Sequence, residues 1–399
     1  MIDFSISPEL EDIRRRITAF MDEHVYENEA RMVEHEGLPA ELERELQQRI
    51  KDAGLWAPNL PKEWGGMGIG YIGQALANEI IGRSIIAPRL FGSAAPDAGN
   101  AELLISAANE KQKERFLRPL AAGEVRSCFA MTEPEVAGSD PTTLRTTAVR
   151  NGDEWVINGH KWFISGAIGS AFAIAMAVTD PAAEPRKRAS MIIVPAGTPG
   201  FNIIRAVGVM GSGGVGGHCE VRFEDCRVPL EHLLGEEGQG FKLAQVRLGP
   251  GRIQHCTRWL GAAERSFEMM CRYALKRESF GEPLANKQTV QNWIADSAAE
   301  INAARLMTLH AAWKLDRGAD ARIEISLIKF YSARVLHDVI DRAIQVYGAL
   351  GFSKDTPLEM FYRDARAARI YDGPDEVHRM VVAQRILKQF KSEAKFDGF

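Results

Sequence analysis

The segment from Phe129 to Asp140, Phe-Ala-Met-Thr-Glu-Pro-Glu-Val-Ala-Gly-Ser-Asp, places hydroxyl groups, backbone N–H groups and a glycine in one short loop. Such a loop can donate several hydrogen bonds to the polar edge of a bound cofactor. Ser, Asp, Gly and Pro are also the ordinary residues of turns, so the segment equally suits a capped turn between a helix and a strand. Taken alone, the segment leaves both interpretations open.

Two further segments contain side chains that could contact a cofactor, and each also has an ordinary structural explanation. Trp162-Phe163-Ile164-Ser165 follows Asn158-Gly159 and brings an aromatic ring and a hydroxyl out of a hairpin, but aromatic residues are also normal in core strands. Arg277-Glu278-Ser279-Phe280-Gly281, with Gln288 beyond it, separates two helical patterns. It also suits a basic helix C-terminus closed by its glycine.

Two more segments lie near the C-terminus. Gln345-Val346-Tyr347-Gly348-Ala349-Leu350-Gly351 is a helix that runs into glycines, and a C-cap at Gly351 accounts for that pattern. Tyr371-Asp372-Gly373-Pro374-Asp375-Glu376 is an acidic turn before a final helix. Proline in the first turn and acidic residues at the positive end of a helix are common, so this segment also has a structural explanation.

A glycine motif at Gly211-Ser212-Gly213-Gly214-Val215-Gly216 matches the dinucleotide fingerprint G-x-G-x-x-G. That fingerprint requires the third glycine to open a helix, whereas residues 218–228 alternate like a strand. The sequence therefore predicts a glycine loop inside a β domain and not a Rossmann site.

Other chemical classes are not supported. The nine histidines are scattered without ligand spacing, so no metal site is expected. There is no Gly-x-Ser-x-Gly elbow, so a hydrolytic triad is not indicated. The chain has 49 basic and 53 acidic side chains, a net charge of −4 and no basic block, which argues against a nucleic-acid partner.

The same composition bears on location. No run of about 18 apolar residues occurs, so no membrane insertion is expected. The charged N-terminus is unlike a signal peptide. Five cysteines without a Cys-x-x-Cys pair suit a reducing compartment, and we predict a cytoplasmic protein.

Three regions of different periodicity must position these segments. Residues 8–125 are patterned as helices, with Leu10, Ile13, Ile17 and Phe20 on one face. Residues 130–232 read as a compact antiparallel β domain, with hairpin turns expected at Asn151-Gly152 and Asn158-Gly159. Helical periodicity returns at residue 240 and persists to 389, with helices long enough for a four-helix bundle.

The order and spacing of these segments resemble the acyl-CoA dehydrogenases along almost the whole chain. The resemblance also covers Leu60–Gly66, Lys111–Glu124, Phe223–Asp225 with Val228-Pro229, and Leu234–Phe241. It implies an α+β multidomain protein. The domains would be an N-terminal all-α domain at 1–128, a middle antiparallel β-barrel domain at 129–236 and a C-terminal four-helix bundle at 237–399.

In such proteins FAD lies between the β domain and the C-terminal helices. Residues of the β domain would then line the isoalloxazine and pyrophosphate: Phe129, Met131, Thr132, Gly138, Ser139, Phe163, Ile164 and Ser165. A second set would complete the cofactor site, in part from a neighbouring subunit: Arg277, Phe280, Gln288, Gln345, Gly348, Pro374 and Glu376. The resemblance therefore also implies a homodimer or homotetramer.

The implied reaction is α,β-dehydrogenation of an acyl-CoA thioester, in which a carboxylate removes the α proton and the β hydrogen leaves as hydride to flavin N5. Asp372 stands at the base position, where most relatives carry Glu. One methylene less shortens its reach by about 1.5 Å. The residues expected at the substrate are Ser139, Arg252, Tyr371 and Gly373. Electrons would pass to electron-transferring flavoprotein on family grounds.

The chain departs from the usual family pattern at two places. The loop between Pro134 and Ser139 is one residue longer, with Glu135 in place of glycine, and Pro374 and Glu376 replace a hydroxyl and an amide. A second family arrangement puts the base just before the arginine that corresponds to Arg252, but Gly251 occupies that position. The departures resemble a subgroup linked to longer-chain and 4-hydroxy acyl-CoA substrates.

Two alternatives remain open. Nitroalkane oxidases resemble the same family and use an Asp at the base position, and flavin-dependent monooxygenases of this fold are a related option. The other alternative is a non-catalytic member that binds acyl-CoA or protein, which a colourless purified protein would favour.

Overall fold

The computed structural model describes residues 5–32, 37–211 and 217–393. These residues form a helical N-terminal region, a central β region and a helical C-terminal region, in the predicted order. The prediction of an α+β fold with these three regions is confirmed. Residues 212–216, which carry most of the glycine motif at 211–216, lie outside the described residues, so the glycine-loop prediction stays untested.

The α-helices of the described chain are numbered in chain order. They are α1 (Pro8–Phe20), α2 (Ala40–Asp52), α3 (Gly70–Ile81), α4 (Ala87–Leu90), α5 (Asp97–Ala107), α6 (Glu110–Gln112), α7 (Arg118–Ala121), α8 (Gly240–Lys276), α9 (Gln288–Asp316), α10 (Arg322–Tyr347), α11 (Leu358–Ala368) and α12 (Asp375–Glu393).

The strands are numbered in the same way. They are β1 (Ser127–Ala130), β2 (Thr147–Asn151), β3 (Glu154–Ser165), β4 (Phe172–Val178), β5 (Ala189–Pro195), β6 (Phe201–Val207), β7 (His218–Pro229), β8 (Leu233–Leu234), β9 (Glu278–Ser279) and β10 (Glu282–Pro283).

Helix α1 forms as its apolar spacing predicts. The Ser7 hydroxyl caps it by accepting a hydrogen bond from the Leu10 N–H at 3.3 Å, which satisfies one of the first-turn donors. Ile13, Ile17 and Phe20 are buried on one face. The predicted apolar stripe is therefore the packed face of the helix.

Among the described residues, eight strands form one sheet in the order β6-β7-β3-β2-β4-β5-β8, with β1 beside β4. Most neighbours are antiparallel, as predicted, but β1 pairs parallel with β4 and β2 meets β4 in parallel at one residue pair. Parallel neighbours need a long crossover connection, and residues 131–171 supply one between β1 and β4. The prediction of a wholly antiparallel β domain is wrong at these two pairings.

The two Asn-Gly pairs differ in role. The predicted hairpin between β2 and β3 forms, but its two-residue turn is Gly152-Asp153, because Asn151 pairs with Glu154; Gly152 has φ 61°. The hairpin predicted at Asn158-Gly159 is wrong, because β3 continues through these residues and shifts register against β7 there. Asn158 exchanges hydrogen bonds with Asp225, and a Cβ on Gly159 would stand 2.5 Å from Thr146 Cβ. Tight packing therefore explains the glycine at 159.

The described residues divide into two compact units. The first consists of residues 5–26, 69–88 and 252–393, and its core is built from the facing sides of α8, α9, α10 and α11. Helix α3 crosses α8 closely in this unit, since a Cβ on Gly82 would lie 2.3 Å from Arg258 Cα and one on Gly261 would lie 2.0 Å from the Glu79 carbonyl oxygen.

The second unit consists of residues 27–32, 37–68, 89–211 and 217–251. Its core lies on the inward-facing side of the large sheet, around Trp155, Ile157 and Phe223. Since the units interleave along the chain, they do not by themselves test the predicted boundaries near 128 and 236. No helix among the described residues is long and apolar enough to cross a bilayer.

Candidate active site

The loop that follows β1 is held at its start by a buried lysine. Lys161 Nζ donates to the carbonyl oxygen of Met131 at 2.9 Å and to that of Met176 at 2.7 Å. The same amine lies 2.9 Å from Glu133 Oε1, with exposed side-chain fractions of 0% for Lys161 and 1% for Glu133. Because β3 carries Lys161 and β4 carries Met176, the sheet fixes where the loop begins.

Glu133 extends this anchor to the residues before β2. Its carboxylate accepts the backbone N–H of Arg145 at 2.7 Å and that of Thr146 at 2.9 Å. Burial raises the pKa of Glu133, but the charge of Lys161 and these donors outweigh it and hold the pKa below its usual value. Burial lowers the pKa of Lys161 to about 8, against the opposing effect of Glu133. The pair is thus ionised at neutral pH.

The outer half of the same loop is exposed. Gly138 and Ser139 both lie on the surface, while Met131 and Thr132 are half-buried. Asp140 closes the loop, because its carboxylate accepts the Thr142 N–H at 3.2 Å and caps a short 3-10 turn. The segment is therefore a capped turn whose glycine and hydroxyl are accessible to a ligand.

The end of β3 is joined to this loop. The Trp162 N–H donates to the carbonyl oxygen of Thr132 at 3.0 Å. The β3–β7 register shifts between Lys161 and Ile164, and within this bulge Phe163 has φ 52° and is 43% exposed. Bulges re-aim side chains beside functional sites. Here the bulge turns an aromatic ring out of the sheet next to the loop.

The two residues after Phe163 are placed differently. Ile164 is buried in the β core at 1% exposure, so only its backbone could contact a ligand. The Ser165 hydroxyl lies 2.8 Å from His218 Nδ1 and is half-buried. The structure therefore joins the start of the predicted loop to the end of β3, but it directs the Ile164 side chain inwards.

Phe129 has a charged neighbour that sequence reasoning missed. The guanidinium of Arg247 lies 4.2 Å from the centre of the Phe129 ring. Arg247 also donates from Nε to Asn100 Oδ1 at 2.9 Å, and Asn100 donates to Ser127 Oγ at 2.9 Å. These contacts fix the ring at the end of β1.

In the other unit, Asp372 stands on a strained turn between α11 and α12. It has φ 54°, a left-handed conformation that is costly for a residue other than glycine, and Gly373 follows at φ 101°. Arg252 Nε donates to the Asp372 carbonyl oxygen at 2.9 Å, and His378 Nε2 lies 3.2 Å from the same oxygen. A Cβ on Gly373 would come within 2.7 Å of His378 Nε2, so this position has no room for a side chain.

A buried lysine holds the next part of this turn. Lys329 on α10 donates to the carbonyl oxygens of Ala368 at 2.7 Å and Gly373 at 3.3 Å. Its amine lies over the rings of Trp259 and Tyr371, at 5.0 and 5.4 Å from their centres. Burial lowers the pKa of Lys329. Three basic side chains therefore fix the backbone on both sides of the Asp372 carboxylate.

The carboxylate itself faces an imidazole. His255 Nε2 lies 3.3 Å from Asp372 Oδ2, and Arg258 Nη2 lies 3.1 Å from His255 Nδ1. The imidazole packs against Trp259 and Tyr371, with ring centres 5.9 and 4.9 Å away. Burial lowers the pKa of His255 and that of Arg258, and it raises the pKa of Tyr371.

Comparison with known proteins places the chain in a family. The N-terminal, middle and C-terminal domains of acyl-CoA dehydrogenase match residues 7–124, 128–226 and 238–387. Probable acyl-CoA dehydrogenase FadE2 of Mycobacterium tuberculosis is 45% identical over 98% of both chains. The chain belongs to the acyl-CoA dehydrogenase family.

Solved acyl-CoA dehydrogenase structures agree along nearly the whole length. A candidate acyl-CoA dehydrogenase from Mycobacterium abscessus superposes with a TM-score of 0.92 at 40% identity, covering 97% of this chain and 100% of that one. Butyryl-CoA dehydrogenase from Megasphaera elsdenii gives 0.85 at 29% identity with the same coverage. A chain from a structure of the electron transferring flavoprotein of Acidaminococcus fermentans gives 0.86 at 30% identity, again with that coverage.

Some curated relatives in the family are longer. Acyl-CoA dehydrogenase family member 11 of Gallus gallus is 41% identical over 96% of this chain, which corresponds to 51% of that protein. This chain therefore spans about half the length of that relative.

A further group of predicted cofactor residues flanks a separate apolar cluster. Tyr273 near the end of α8 stacks on Tyr347 at the end of α10, with ring centres 4.1 Å apart, and both pack with Met270, Val290 and Val346. The predicted residues that flank this cluster along the chain are all exposed. They are Arg277, Phe280, Gln288, Gln345 and Gly348.

Two structural explanations offered for this group need correction. Phe280 and Gly281 have φ 54° and 82° and form the two-residue turn between β9 and β10, so Gly281 does not close α8. The residue that caps α10 is Gly348, with φ 61°, and not Gly351. Phe280 is 98% exposed, which is unusual for an aromatic ring at the tip of a hairpin.

Pro374 and Glu376 begin the last helix. The Pro374 carbonyl oxygen accepts the His378 N–H at 3.2 Å, and Glu376 is exposed in the first turn of α12, as its sequence position predicts. Arg252, by contrast, lies well inside α8 and does not start a helix. Its guanidinium contacts the carbonyl of the Asp372 turn, so the structure gives it a partner within the chain.

Sequence reasoning missed the groups that surround the expected residues. His255 follows Gly251 by four positions and so lies one turn further along the same face of α8, a spacing visible in the sequence. Lys161 falls among inward-facing positions of β3, where a charge indicates a buried partner. His378 and Lys329 carry no comparable signal, because their partners are backbone carbonyls, which every residue type supplies.

Proposed function

We propose that this protein catalyses the FAD-dependent α,β-dehydrogenation of an acyl-CoA thioester to the trans-2-enoyl-CoA, with Asp372 as the base. Membership of the acyl-CoA dehydrogenase family supports the reaction class. The observation that carries the assignment of the base is the Asp372 turn itself. A non-glycine residue held at φ 54° by donors on its own carbonyl marks a position whose side-chain direction matters.

The residues of the β domain fit a flavin. The exposed Gly138 and Ser139 offer backbone and hydroxyl donors, while Phe129 and Phe163 offer ring faces beside the same loop. Lys161 holds the start of the loop from inside the core, so the exposed groups of the loop are not needed to anchor it. FAD held by these residues would supply the acceptor for the β hydrogen of the substrate, which would leave as hydride.

Asp372 would accept the α proton. Its side chain is one methylene shorter than the usual Glu, so its backbone must bring the carboxylate about 1.5 Å further towards the substrate. The left-handed conformation at Asp372, fixed by Arg252 and His378 on its carbonyl, is the feature of this chain that can set that position. Misplacement by such a distance would cost about 100-fold in rate.

The acyl-CoA substrate and the electron acceptor are proposed from membership of the family. Similarity to butyryl-CoA dehydrogenase from Megasphaera elsdenii supports a CoA thioester as the substrate. Similarity to a chain from the structure of the Acidaminococcus fermentans electron transferring flavoprotein supports electron-transferring flavoprotein as the acceptor. The exposed Phe280 hairpin and its neighbours suit a homodimer or homotetramer in which they reach another subunit's FAD. A cytoplasmic location is proposed from the five cysteines without a Cys-x-x-Cys pair and from the charged N-terminus.

An anaerobic titration tests the proposal. The purified protein should be yellow, and an acyl-CoA should bleach its flavin near-stoichiometrically without oxygen. A panel of acyl-CoA chains from about C4 to C22, including branched and hydroxylated ones, identifies the substrate class. If none bleaches protein that demonstrably holds FAD, the dehydrogenase proposal fails.

One observation favours a second candidate, because Asp372 is also what a nitroalkane oxidase-like enzyme of this fold would carry. The two reactions differ in their acceptor. Rapid turnover of a nitroalkane with oxygen consumption, and no bleaching by acyl-CoA, would establish the oxidase.

A further inference from the structure

We infer that His255 is the positioning residue of the Asp372 carboxylate, acting as a neutral imidazole that donates a hydrogen bond from Nε2 to Asp372 Oδ2. The inference rests on the proposed function, since it assigns His255 a part in proton abstraction by Asp372. His255 is not among the residues that the sequence predicted for catalysis, cofactor binding or substrate binding.

The first step is the tautomer. Arg258 Nη2 lies 3.1 Å from His255 Nδ1, and a guanidinium has donors but no acceptor. Nδ1 must therefore accept, which leaves the ring hydrogen of a neutral imidazole on Nε2. That nitrogen is the one that lies 3.3 Å from Asp372 Oδ2, and an ionised carboxylate can only accept. The two contacts are consistent with one tautomer and with no other.

The second step is charge. The charged and titratable groups that face the ring are Arg258 from α8, Asp372 and Tyr371 from the turn, and Lys329 from α10. Burial lowers the pKa of His255, and the two cations add to that effect while Asp372 opposes it. The ring is thus neutral at pH 7, and its contact with Asp372 is a hydrogen bond from an uncharged donor.

The third step is what this arrangement does. A hydrogen bond to Oδ2 sets the rotation of the carboxylate about its Cβ–Cγ bond, while Arg252 sets the backbone from which it projects. His255 cannot itself be the base, because Nδ1 is engaged by Arg258 and Nε2 already carries a hydrogen. The proton taken from the substrate therefore stays on Asp372. His255 acts through Asp372 and does not touch the reacting atoms.

Two substitutions separate this role from simple packing. His255→Gln keeps an N–H donor near the position of Nε2, whereas His255→Leu keeps volume and removes the donor. The matched control is His310→Leu on α9, whose ring packs against Trp313. FAD content and the dissociation constant of a non-reducible acyl-CoA analogue should stay within about twofold of the parent in all three variants, because none removes a ligand contact.

The expected kinetic result is an ordered series. His255→Leu should slow anaerobic flavin reduction about 100-fold, the cost of a misplaced catalytic group. His255→Gln should recover most of that loss, and His310→Leu should match the parent. In His255→Leu the acidic limb of the pH–rate profile should move to higher pH, because a donor that favours the ionised carboxylate is gone. A parent-like rate for His255→Leu, or a His255→Gln rate as slow as that of His255→Leu, would overturn the inference.

A second measurement does not depend on turnover. In protein labelled with ¹⁵N-histidine, the signal that disappears in His255→Gln should report the neutral Nε2–H tautomer at pH 7. An imidazolium or an Nδ1–H tautomer at pH 7 would contradict the inference. If no acyl-CoA reduces the parent flavin, the proposed function fails, while this spectrum still decides whether His255 donates to Asp372.

Discussion

The loop after β1 and the turn at Asp372 both rest on a buried lysine, yet they treat a carboxylate in opposite ways. In the loop, Lys161 donates to two carbonyl oxygens and also pairs with the buried Glu133. In the turn, Lys329 donates to two carbonyl oxygens, and the Asp372 carboxylate faces the imidazole of His255.

The two carboxylates therefore suit different roles, Glu133 in stabilising the loop and Asp372 in the proposed reaction. Glu133 has its oxygens filled by two backbone N–H groups and an ammonium inside the core, so it is suited to anchoring a loop and unsuited to accepting a substrate proton. Asp372 is partly exposed, at 22% of its side chain, and its contacts fix the backbone first and the carboxylate second. Glu133 is thus paired with a cation inside the core, whereas the carboxylate of Asp372, the proposed base, faces the imidazole of His255.

The largest effect should follow from removing the Asp372 charge. Asp372→Asn keeps the side-chain volume and the turn, but the amide cannot accept the α proton. We expect flavin reduction by acyl-CoA to fall about 10²- to 10⁴-fold, the usual contribution of a positioned base. Stopped-flow reduction measures the rate, and spectral perturbation of the flavin measures ligand binding.

The matched control for that experiment is Glu133→Gln, which neutralises the anchoring carboxylate. It should change stability and FAD retention more than the rate per bound flavin. If the flavin of Asp372→Asn were reduced at the parent rate, Asp372 would not be the base. The contrast drawn between Glu133 and Asp372 would then not hold.

The next effect concerns stability at the loop. Lys161→Met leaves Glu133 buried without its cation, and breaking a buried pair in this way costs about 3–5 kcal/mol of folding free energy. Chemical denaturation of the FAD-loaded protein measures the loss, and the ratio of flavin to protein absorbance measures cofactor retention. The double variant Lys161→Met/Glu133→Gln should be less destabilised than the single one, because no unpaired charge remains.

An exposed pair gives the control for Lys161. Arg150 and Glu237 lie 2.6 Å apart with both side chains substantially exposed, so Arg150→Met should change the free energy of unfolding by less than about 1 kcal/mol. If Lys161→Met and Arg150→Met lowered the free energy of unfolding equally, burial would not explain the contribution of the Lys161–Glu133 pair to stability.

The sequence predicted regular elements and surface motifs better than it predicted these internal anchors. The stripe at Ile13, Ile17 and Phe20 repeats locally, so periodicity alone identifies α1. Asn158-Gly159, where a hairpin was wrongly predicted, shows what a local sequence pattern cannot predict. Its glycine is required by contact with Thr146 and its asparagine by Asp225, 67 residues away, and neither constraint is local.

The same limit applies to the site. Family order pointed to Asp372 and to Ser139, because those positions carry recognisable neighbours in the sequence. Which groups surround Asp372 depends on the packing of α8, α10 and the turn. His255 could have been proposed from its place one turn beyond Gly251, but Lys329 donates to carbonyls that any sequence would supply.

A smaller effect should appear in the pH dependence of stability, through His378. Burial lowers its pKa to about 4, so the folded protein keeps it neutral while the unfolded chain takes up a proton near pH 6.5. Between these values the unfolded state binds more protons, and stability therefore falls as the pH drops from 6.5 to 4. The shift corresponds to about 3 kcal/mol across that window.

His378→Gln should remove this part of the acid sensitivity. Urea unfolding at pH 7 and pH 4.5 should show a smaller drop in the variant than in the parent, with His310→Gln as the matched histidine control. An unchanged drop would mean that His378 titrates normally and that the donor to the Asp372 carbonyl is not a buried neutral imidazole.

The smallest expected effect lies at Glu135, in the exposed half of the loop. Its carboxylate lies 2.8 Å from His160 Nδ1, but the side chain is 41% exposed, and such surface pairs contribute little to stability. Glu135→Ala should therefore change the free energy of unfolding by about 0.5 kcal/mol or less.

FAD retention in Glu135→Ala should match the parent, because the loop is anchored at Met131 and Glu133 and not at Glu135. This variant shows whether the loop is divided into an anchored inner half and an adjustable outer half. A loss comparable to that of Lys161→Met would show that the outer residues are also structural. In that case the extra residue between Pro134 and Ser139 would have a structural role, because an outer half that stabilises the fold could not also adapt its conformation to a ligand.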